Sequence, residues 1–389
     1  MAKLRFTIKH RDKNSKARTG IILTEHGTIK TPAFVPVGSG ASIKSLTPDE
    51  IKEAKIDVFF VNTYHMLFRP GIETVFSSGG LHKFMNWDRP LMTDSGGFQV
   101  FSLSEHGPRL PTSDKPMVKI SELGIKFRSV WDGSELFLGP NESMDAQIHL
   151  GADLIMAFDE CTFYPITKKQ ARSAMERTHR WAERCLNYHL KHKTKNSKQL
   201  LYGIIQGGTY DDLRKESAKF ISVLPFDGIA IGGVAVGENK KEMRKAVDAV
   251  VPYLPDDKPR HLLGVGEVDD IFNAVERGMD TFDCVIPTRF GRYGVVLVGR
   301  EEEVKGRFRL DMTKTKYAKS KEKLSADCLC FVCRTFTRGY LHHLFKAKEL
   351  LAYRLVSYHN MYFTINLVKK IRQSILDDEF EAFKKEWTK

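Results

Sequence analysis

The sequence lacks the features that would place it outside the cell or in a membrane. Only six of its 389 residues are cysteines, and three of these are clustered, which argues against a disulfide framework. No apolar stretch is long enough to span a bilayer, and Met1–His10 has no apolar core of the kind found in signal peptides. A cytoplasmic protein without a membrane segment is therefore the default prediction.

Acidic residues are scarce relative to basic ones. The chain has 61 Lys and Arg against 48 Asp and Glu, a formal net charge of +13. This excess favours a polyanionic partner, with a general surface bias as the alternative. The basic residues are dense in the C-terminal third, which is the predicted phosphate-binding side: Arg289, Arg292, Arg307, Arg309, Lys314, Lys316, Lys319, Lys321, Lys323, Arg334, Arg338, Lys346 and Lys348.

Short apolar runs recur along the chain, mostly with helix-like segments between them. Thr47-Pro48 predicts a helix start, and longer helices are predicted over 168–191, 210–223, 239–250 and 268–277. Strands that alternate with helices form parallel sheets, and eight of them predict an α/β fold of the (β/α)₈ TIM barrel type. The eight runs are Phe34–Val37, Val58–Asn62, Leu91–Thr93, Leu154–Phe158, Tyr202–Ile205, Gly228–Ile231, Leu262–Val265 and Thr281–Val285.

Two stretches interrupt this alternation. Residues 101–139 predict an inserted β-rich segment, and residues 291–325 begin β-like and then become strongly basic. We therefore expect a catalytic barrel over 1–290, with an N-terminal β cap and the insertion near 101–139. A basic zinc-binding subdomain would cover 291–362, and a C-terminal helix packing on the barrel would cover 363–389.

Polar or glycine residues follow the strands where an active site would form. In such barrels the site lies at the C-terminal face, so these residues predict one shared pocket. The most informative run is Leu91–Phe101, where a buried strand delivers Asp94, then Gly96-Gly97, then Phe98; a helix-capping Asp is the alternative. The full set is Asn62, Asp94, Asp159, Gln206, Gly232-Gly233, Gly264-Val265-Gly266 and Asp283.

Three of these residues are carboxylates, Asp94, Asp159 and Asp283. Two carboxylates beside an acetal carbon suit glycosyl transfer, and a third can accept hydrogen bonds from the edge of a base. Gln206 and the Gly232-Gly233 backbone can donate to a carbonyl. For each residue alone, a hydrogen bond that supports the fold is the alternative.

Cys328, Cys330 and Cys333 form the strongest metal signal. Three thiols in this spacing suit tetrahedral zinc, which needs a fourth ligand. The candidates are His342, His343 and His359; we favour His359 because it follows a helix predicted over 338–356. No catalytic acid lies nearby in the sequence, so the site is predicted to be structural.

The chain resembles the tRNA-guanine transglycosylases, also called queuine tRNA-ribosyltransferases, most closely the bacterial type. The resemblance runs from about Thr28 to about Asn360. It rests on several separate motifs: Met92–Val100 (MTDSGGFQV), Met156–Cys161 (MAFDEC), Gly203–Gly207 (GIIQG), Ile231–Glu238 (IGGVAVGE), Phe282–Arg289 (FDCVIPTR) and Cys-x-Cys-x-x-Cys with the later His359-Asn360.

The resemblance implies a barrel with a zinc subdomain and a tRNA-modifying activity in queuosine biosynthesis. The wobble guanine in the anticodon of tRNA Asp, Asn, His and Tyr would be exchanged for a 7-deazaguanine by double displacement, through a covalent RNA–enzyme intermediate. The implied partners are the tRNA anticodon loop, guanine and the deazaguanine base, and a second copy of the chain. One structural Zn²⁺ per subunit is the implied cofactor.

The resemblance also implies residue roles. Asp283 would be the nucleophile and Asp94 the general acid/base. Substrate binding falls on Ser95, Gly96, Gly97, Phe98, Asp159, Gln206, Gly232, Gly233, Val234 and Leu263. RNA binding falls on Gly264, Val265, Gly266, Glu267, Val268, Asp269, Asp270, Thr288, Arg289, Phe290, Gly291 and Arg292. The zinc ligands would be Cys328, Cys330, Cys333 and His359.

Two positions bear on the incoming base. Val236 stands where a smaller residue would make room for the bulky queuine, and Cys161 is as in the bacterial enzymes, so 7-aminomethyl-7-deazaguanine is the predicted base. Phe98 stands where some family members carry Tyr. The alternatives are a queuine-using member of the family, a non-catalytic zinc-module tRNA-binding subunit and a metal-dependent barrel hydrolase.

Overall fold

A computed structural model describes residues 5–100, 118–129, 133–192, 198–304 and 306–388. Eight parallel strands form one sheet in which each strand pairs with the next along the chain and the last pairs with the first. They are Ala33–Pro36, Phe59–Val61, Leu91–Thr93, Leu154–Met156, Leu200–Ile205, Gly228–Ile231, Arg260–Leu262 and Thr281–Cys284.

The first two strands come together just beyond Pro36. Val37 pairs with Phe60, and the Gly38 amide donates to the Phe60 carbonyl at 2.6 Å. The predicted (β/α)₈ fold is therefore confirmed, and every predicted run overlaps one strand. The largest difference is at the seventh run, whose strand begins at Arg260 and ends at Leu262.

Helices follow the strands as the sequence predicts. The first begins with the expected cap: the Thr47 hydroxyl accepts from the Glu50 amide at 3.3 Å, and the Glu50 carboxylate accepts from the Thr47 amide at 2.9 Å. No helix within the described part of the chain has the length and apolar character needed to cross a bilayer. Those associated with the barrel are Pro48–Glu53, Thr63–Phe68, Ile72–Ser77, Gly80–Met85, Pro140–Leu150, Lys168–His192, Asp211–Val223, Lys240–Val250, Val268–Glu276 and Ile286–Arg292.

Alternation along the strands divides the hydrophobic core in two. Leu154 and Met156 belong to a cluster inside the barrel, whereas Ile155 belongs to the larger cluster between the strands and the helices. An antiparallel sheet of Phe6–Arg11, Arg18–Thr24 and Gly27–Thr31 adds Phe6, Ile22 and Ile29 to the inner cluster. This N-terminal sheet therefore contributes directly to the interior packing of the barrel.

The insertion contains a second antiparallel sheet. Its strands are Val118–Ile120, Ile125–Arg128 and Glu135–Leu138. This agrees with the β-rich character predicted near 101–139, although 101–117 and 130–132 lie outside the described residues.

The C-terminal region differs from one sequence expectation. After the strand pair Val295–Leu297 and Arg309–Asp311 come the helices Phe331–Thr335, Arg338–Lys346, Leu350–Leu376 and Phe380–Trp387. The helix predicted over 338–356 is thus two helices, and His359 lies inside the second rather than after it. The break occurs where Lys348 takes a positive φ of 59°. The helix Leu350–Leu376 runs across the expected boundary at 362/363, and the division into domains stays a prediction.

Candidate active site and metal centre

The carboxyl ends of the barrel strands surround a cavity of about 650 Å³. This volume is in the range of small-molecule sites. Asp94, Asp159 and Asp283 all line it, although they come from distant parts of the sequence. The other predicted residues that line it are Ser95, Phe98, Gly232, Gly233, Val234, Leu263, Gly264, Val265, Gly266, Glu267, Asp270 and Arg289.

Asp94 is held by neutral donors, which include Gln99 and the Gly96 backbone. The Asn62 side-chain amide donates to Oδ2 at 2.6 Å, and the Thr63 backbone amide, at the start of the helix Thr63–Phe68, donates to Oδ1 at 2.7 Å. Burial outweighs these hydrogen bonds and raises the Asp94 pKa to about 6. A carboxyl with this pKa can both give and take a proton near neutral pH.

Asp159 is buried against two of the predicted substrate-binding residues. Gln206 donates to Oδ2 at 2.6 Å and the Ser95 hydroxyl donates to Oδ1 at 3.2 Å. Burial raises the Asp159 pKa to about 6, and the negative charge of Asp94 adds to this effect. Gln206 lies behind the cavity wall, and its Oε1 has no hydrogen-bond partner among the described residues.

Asp283 faces the cavity from the eighth strand. Its Oδ1 accepts from the Gly264 amide at 3.2 Å and lies 3.1 Å from His261 Nε2. The Asp283 side chain is 13% exposed, whereas that of His261 is fully buried. The predicted nucleophile is therefore accessible from the cavity and fixed from behind.

A glycine loop and an aromatic ring complete the pocket. Gly233 has a φ of 60°, and a Cβ there would lie 2.2 Å from Gln206 Oε1, so only glycine fits. Buried Arg214 donates to the Gly232 and Gly233 carbonyls at 2.6 and 2.5 Å and holds the loop from behind. Phe98 is 44% exposed at the cavity and lies within the helical turn that begins at Gly97.

The predicted RNA-binding residues fall into two groups. Within 264–270, the carboxylates of Glu267, Asp269 and Asp270 all contact the Lys240 ammonium, at 2.6–2.8 Å. Arg244 also pairs with Asp269 and Asp270, so these acids are neutralised where an anionic RNA would approach.

The second group, residues 288–292, lies on two faces. Arg289 is exposed, and Phe290 and Arg292 are half-buried. Thr288 is buried, and a Cβ on Gly291 would lie 2.5 Å from Ser357 Oγ of the long helix. The structure therefore places Thr288 and Gly291 in packing rather than at the surface.

The three clustered cysteines and His359 converge in the interior. His359 Nδ1 lies 3.6, 3.5 and 3.2 Å from the Sγ atoms of Cys328, Cys330 and Cys333. The four potential ligand atoms lie within 4.8 Å of one another, and all four residues are buried. Ideal tetrahedral zinc would place Sγ and N about 3.5 Å apart, so this donor set fits such an ion.

His359 is also in the tautomer that a metal needs. Its Nε2 lies 2.7 Å from the Leu297 carbonyl, which can only accept, so Nε2 carries the proton and Nδ1 presents its lone pair to the thiols. His342, whose Nδ1 bonds the Met312 carbonyl at 2.8 Å, is not among the residues whose ligand atoms converge here. A metal here would supply folding free energy rather than chemistry at the cavity.

Two other clusters of potential ligands are less suitable. His26 and His82 flank Asp153, but their rings stack 3.5 Å apart at 17°. Nearly parallel stacked rings cannot both direct an in-plane lone pair at one ion. The other group, Glu267, Asp269 and Asp270, is occupied by Lys240 and Arg244.

Comparison with known proteins agrees with this geometry. A family model described as queuine tRNA-ribosyltransferase matches residues 12–389. The chain belongs to the queuine tRNA-ribosyltransferase family. The enzyme class predicted from the sequence, a pentosyltransferase of the tRNA-guanine transglycosylase kind, is thereby confirmed.

Relatives named queuine tRNA-ribosyltransferase match along nearly their whole length. One from Shouchella clausii is 46% identical over 375 residues, which cover 96% of this chain and 93% of that protein. One from Caldanaerobacter subterraneus is 46% identical over 390 residues, covering 100% and 98%. One from Roseiflexus sp. is 46% identical over 399 residues, covering 99% of each.

Sequence reasoning missed several residues of this queuine tRNA-ribosyltransferase site. Asn62 was marked only as a strand-end polar residue, and no local pattern pointed to Arg214 or His261. Glu238 could have been predicted as a site residue, because it ends the motif Ile231–Glu238. Its carboxylate accepts from the Ala235 and Val236 amides at 2.5 and 2.9 Å and so closes that loop.

We expect Asp159→Asn to stabilise the protein at neutral pH. The folded-state pKa of about 6 exceeds the ordinary aspartate pKa of 3.8, so the native state binds more protons between these values and stability falls as pH rises from about 4 to about 6. The variant should gain about 1–3 kcal/mol at pH 7.5 and almost nothing at pH 4.

Thermal unfolding at the two pH values measures this difference. Asp88→Asn is the control, because that exposed carboxylate pairs with Lys52, which lowers its pKa, and its removal should give no gain at pH 7.5. An equal shift of the Asp159→Asn variant at both pH values would contradict the explanation.

His359→Ala should weaken metal binding at least about 100-fold and lower the melting temperature. Metal content per chain, measured by elemental analysis after dialysis against a mild chelator, tests this. His343→Ala is the matched control: His343 is exposed on the neighbouring helix Arg338–Lys346 and should leave metal content unchanged. Full metal content in His359→Ala would exclude this ligand set.

Proposed function

We propose that this protein exchanges the wobble guanine of tRNA Asp, Asn, His and Tyr for 7-aminomethyl-7-deazaguanine in queuosine biosynthesis. The observation that carries the proposal is the convergence of Asp94, Asp159 and Asp283 around one cavity at the carboxyl ends of the strands. Family membership supplies the reaction type, and the named tRNAs and the base follow the resemblance.

The chemistry is a double displacement at the ribose anomeric carbon. An Asp283 oxygen bonds to the anomeric carbon as the bond between that carbon and guanine breaks. Asp94 gives the proton that the departing base takes up. Asp94 then removes a proton from the ring nitrogen of the arriving base, which displaces Asp283. Two inversions preserve the original configuration.

Base recognition falls on the groups beside Asp159. Its carboxylate can accept from the amidine-like edge of a guanine, while Gln206 and the Gly233 amide can donate to the base carbonyl. Exposed Phe98 provides a ring on which the base can stack, with Leu263 on another part of the wall. Binding a base would require Gln206 to share or release its hydrogen bond to Asp159.

The tRNA would bind through the basic side of the C-terminal region. Lys314, Lys316, Lys319, Lys321 and Lys323 are all exposed there. Arg289 carries positive charge to the cavity itself. Phosphate binding of this kind would make affinity fall with salt.

The remaining assignments rest on the family resemblance and the donor set. The ion at Cys328, Cys330, Cys333 and His359 is proposed to be zinc, because three thiolates and one imidazole suit it best. We also propose a homodimer and a cytoplasmic location. Sedimentation of the purified protein with and without tRNA would test the dimer.

Replacing the proposed nucleophile should abolish exchange. With unmodified tRNA carrying guanine at the wobble position and labelled free guanine, Asp283→Asn should incorporate label at least about 10³-fold more slowly than wild type. It should also fail to form an RNA–protein adduct that survives denaturing electrophoresis. Asp88→Asn, at the other end of the third strand, is the control and should exchange normally.

This assay also separates the alternatives. Exchange by Asp283→Asn at the wild-type rate would overturn the assigned nucleophile. Tight tRNA binding by wild type without any incorporation would favour a non-catalytic tRNA-binding subunit.

The incoming base should be selected by the size of the cavity wall at Val236. Val236 and Cys161 both line the cavity. The wild type should prefer 7-aminomethyl-7-deazaguanine, and Val236→Gly should raise the kcat/KM ratio of queuine over that base by about 10-fold. Val236→Leu should move the ratio the other way. A ratio that does not respond to either change would contradict the size argument.

A further inference from the structure

His261 occupies a position that the reaction scheme leaves unused. It lies in the strand Arg260–Leu262, opposite Thr281 of the strand that carries Asp283. Its side chain is fully buried, with Nε2 3.1 Å from Asp283 Oδ1 and Nδ1 2.8 Å from Thr281 Oγ1. The ring also lies nearly parallel to that of Phe60, 23° between planes and 6.3 Å between centroids.

The hydrogen bonds that link Thr281, His261 and Asp283 determine where the protons lie. The Asp283 carboxylate can only accept, so Nε2 is the donor. A neutral ring then has its lone pair on Nδ1, which accepts from the Thr281 hydroxyl. In a doubly protonated ring Nδ1 would donate to Thr281, whose own hydrogen would then lack a partner among the described residues. The neutral ring is therefore the form that satisfies every group.

We propose that His261 is a positioning residue for Asp283, an inference that rests on the proposed function of Asp283 as nucleophile. The Nε2–H of His261 and the amide of Gly264 both reach Oδ1. In the described structure neither of the Asp283 hydrogen bonds involves Oδ2. Oδ1 is thus fixed, and Oδ2 is the oxygen that attacks.

The same two donors act in the second displacement. When Oδ2 is bonded to the ribose, Oδ1 is the carbonyl oxygen of the ester. As the arriving base nitrogen bonds to the anomeric carbon and the bond to Oδ2 breaks, negative charge returns to both carboxylate oxygens. Donors already in place at Oδ1 stabilise that charge without reorganisation. Because the imidazole is neutral, it does this without forming an ion pair that would quench the nucleophile.

The test compares His261→Phe with His261→Gln. The phenylalanine ring keeps the volume but removes the donor, so kcat for guanine exchange should fall about 10- to 100-fold while KM for tRNA changes less than about 2-fold. Formation of the covalent adduct should slow in parallel. A glutamine amide nitrogen can reach the place of Nε2, so His261→Gln should recover at least half of that loss on a logarithmic scale.

Wild type and Asp283→Asn are assayed in the same experiment. The results then distinguish a failure of the proposed function from a failure of the positioning role of His261. If wild type does not exchange guanine, or Asp283→Asn still does, the proposed function fails. If Asp283→Asn is inactive but His261→Phe has wild-type kcat, only the positioning role is overturned. Equal loss in the Phe and Gln variants would also overturn it.

Should His261→Phe not fold, Thr281→Val decides. Valine matches threonine in shape but cannot donate to Nδ1, so the tautomer is no longer fixed and kcat should fall about 3- to 10-fold. Unchanged kcat in Thr281→Val would then overturn the proposal, because a donor whose tautomer must be fixed should be weakened when its Nδ1 partner is removed.

Discussion

Closure of the parallel sheet is the constraint on which the site depends. The short contact between the Gly38 amide and the Phe60 carbonyl joins the first strand to the second, and the eighth strand pairs with the first on its other side. Since all eight strands are parallel, their carboxyl ends meet at one face. Residues nearly two hundred positions apart, such as Asp94 and Asp283, can then line one cavity. Glycine loops at the strand ends leave room for a flat ligand between them.

The buried acid that supports the fold and the acids that line the cavity have different hydrogen-bond partners. Asp280, just before the eighth strand, is fully buried and paired with Arg18 at 2.6 Å. Three residues later, Asp283 is held by a backbone amide and an imidazole. Within the described chain, neither Asp94, Asp159 nor Asp283 pairs with lysine or arginine. A cation would satisfy them better but would also fix them as inert carboxylates. Neutral donors orient these acids without neutralising them, and for Asp94 and Asp159 the raised pKa carries a cost in stability near neutral pH.

The sequence predicted those features that depend on residues adjacent to one another in the chain. Apolar runs followed by polar residues located all eight strands and the three acids, because strand burial and the carboxyl-end rule act on adjacent residues. The thiol spacing located the cluster of potential metal ligands for the same reason. Partners that come from elsewhere in the chain were not visible. Arg214 reaches the Gly232–Gly233 loop across the pocket wall, and Asn62 reaches Asp94 across neighbouring strands. The break at Lys348 carries no glycine or proline to mark it. The continuation of the next helix past 356 was missed because the polar residues Ser357, His359 and Asn360 are buried within it and interrupt the apolar pattern.

The candidate metal site and the segment that follows Asp283 are joined through a short series of hydrogen bonds. His359 bonds the Leu297 carbonyl, while its neighbour Asn360 accepts from the Leu297 amide at 2.8 Å. The Asn360 side chain also donates to the Pro287 carbonyl at 3.0 Å, in the helix Ile286–Arg292 that directly follows Asp283. Two adjacent residues of the helix Leu350–Leu376 thus hold both the strand Val295–Leu297 and the segment that follows Asp283. A metal that ordered His359 would therefore also fix the helix Ile286–Arg292, which follows Asp283 in the sequence. A bound ion would thereby limit how far Asp283 can shift, although its proposed ligands do not line the cavity.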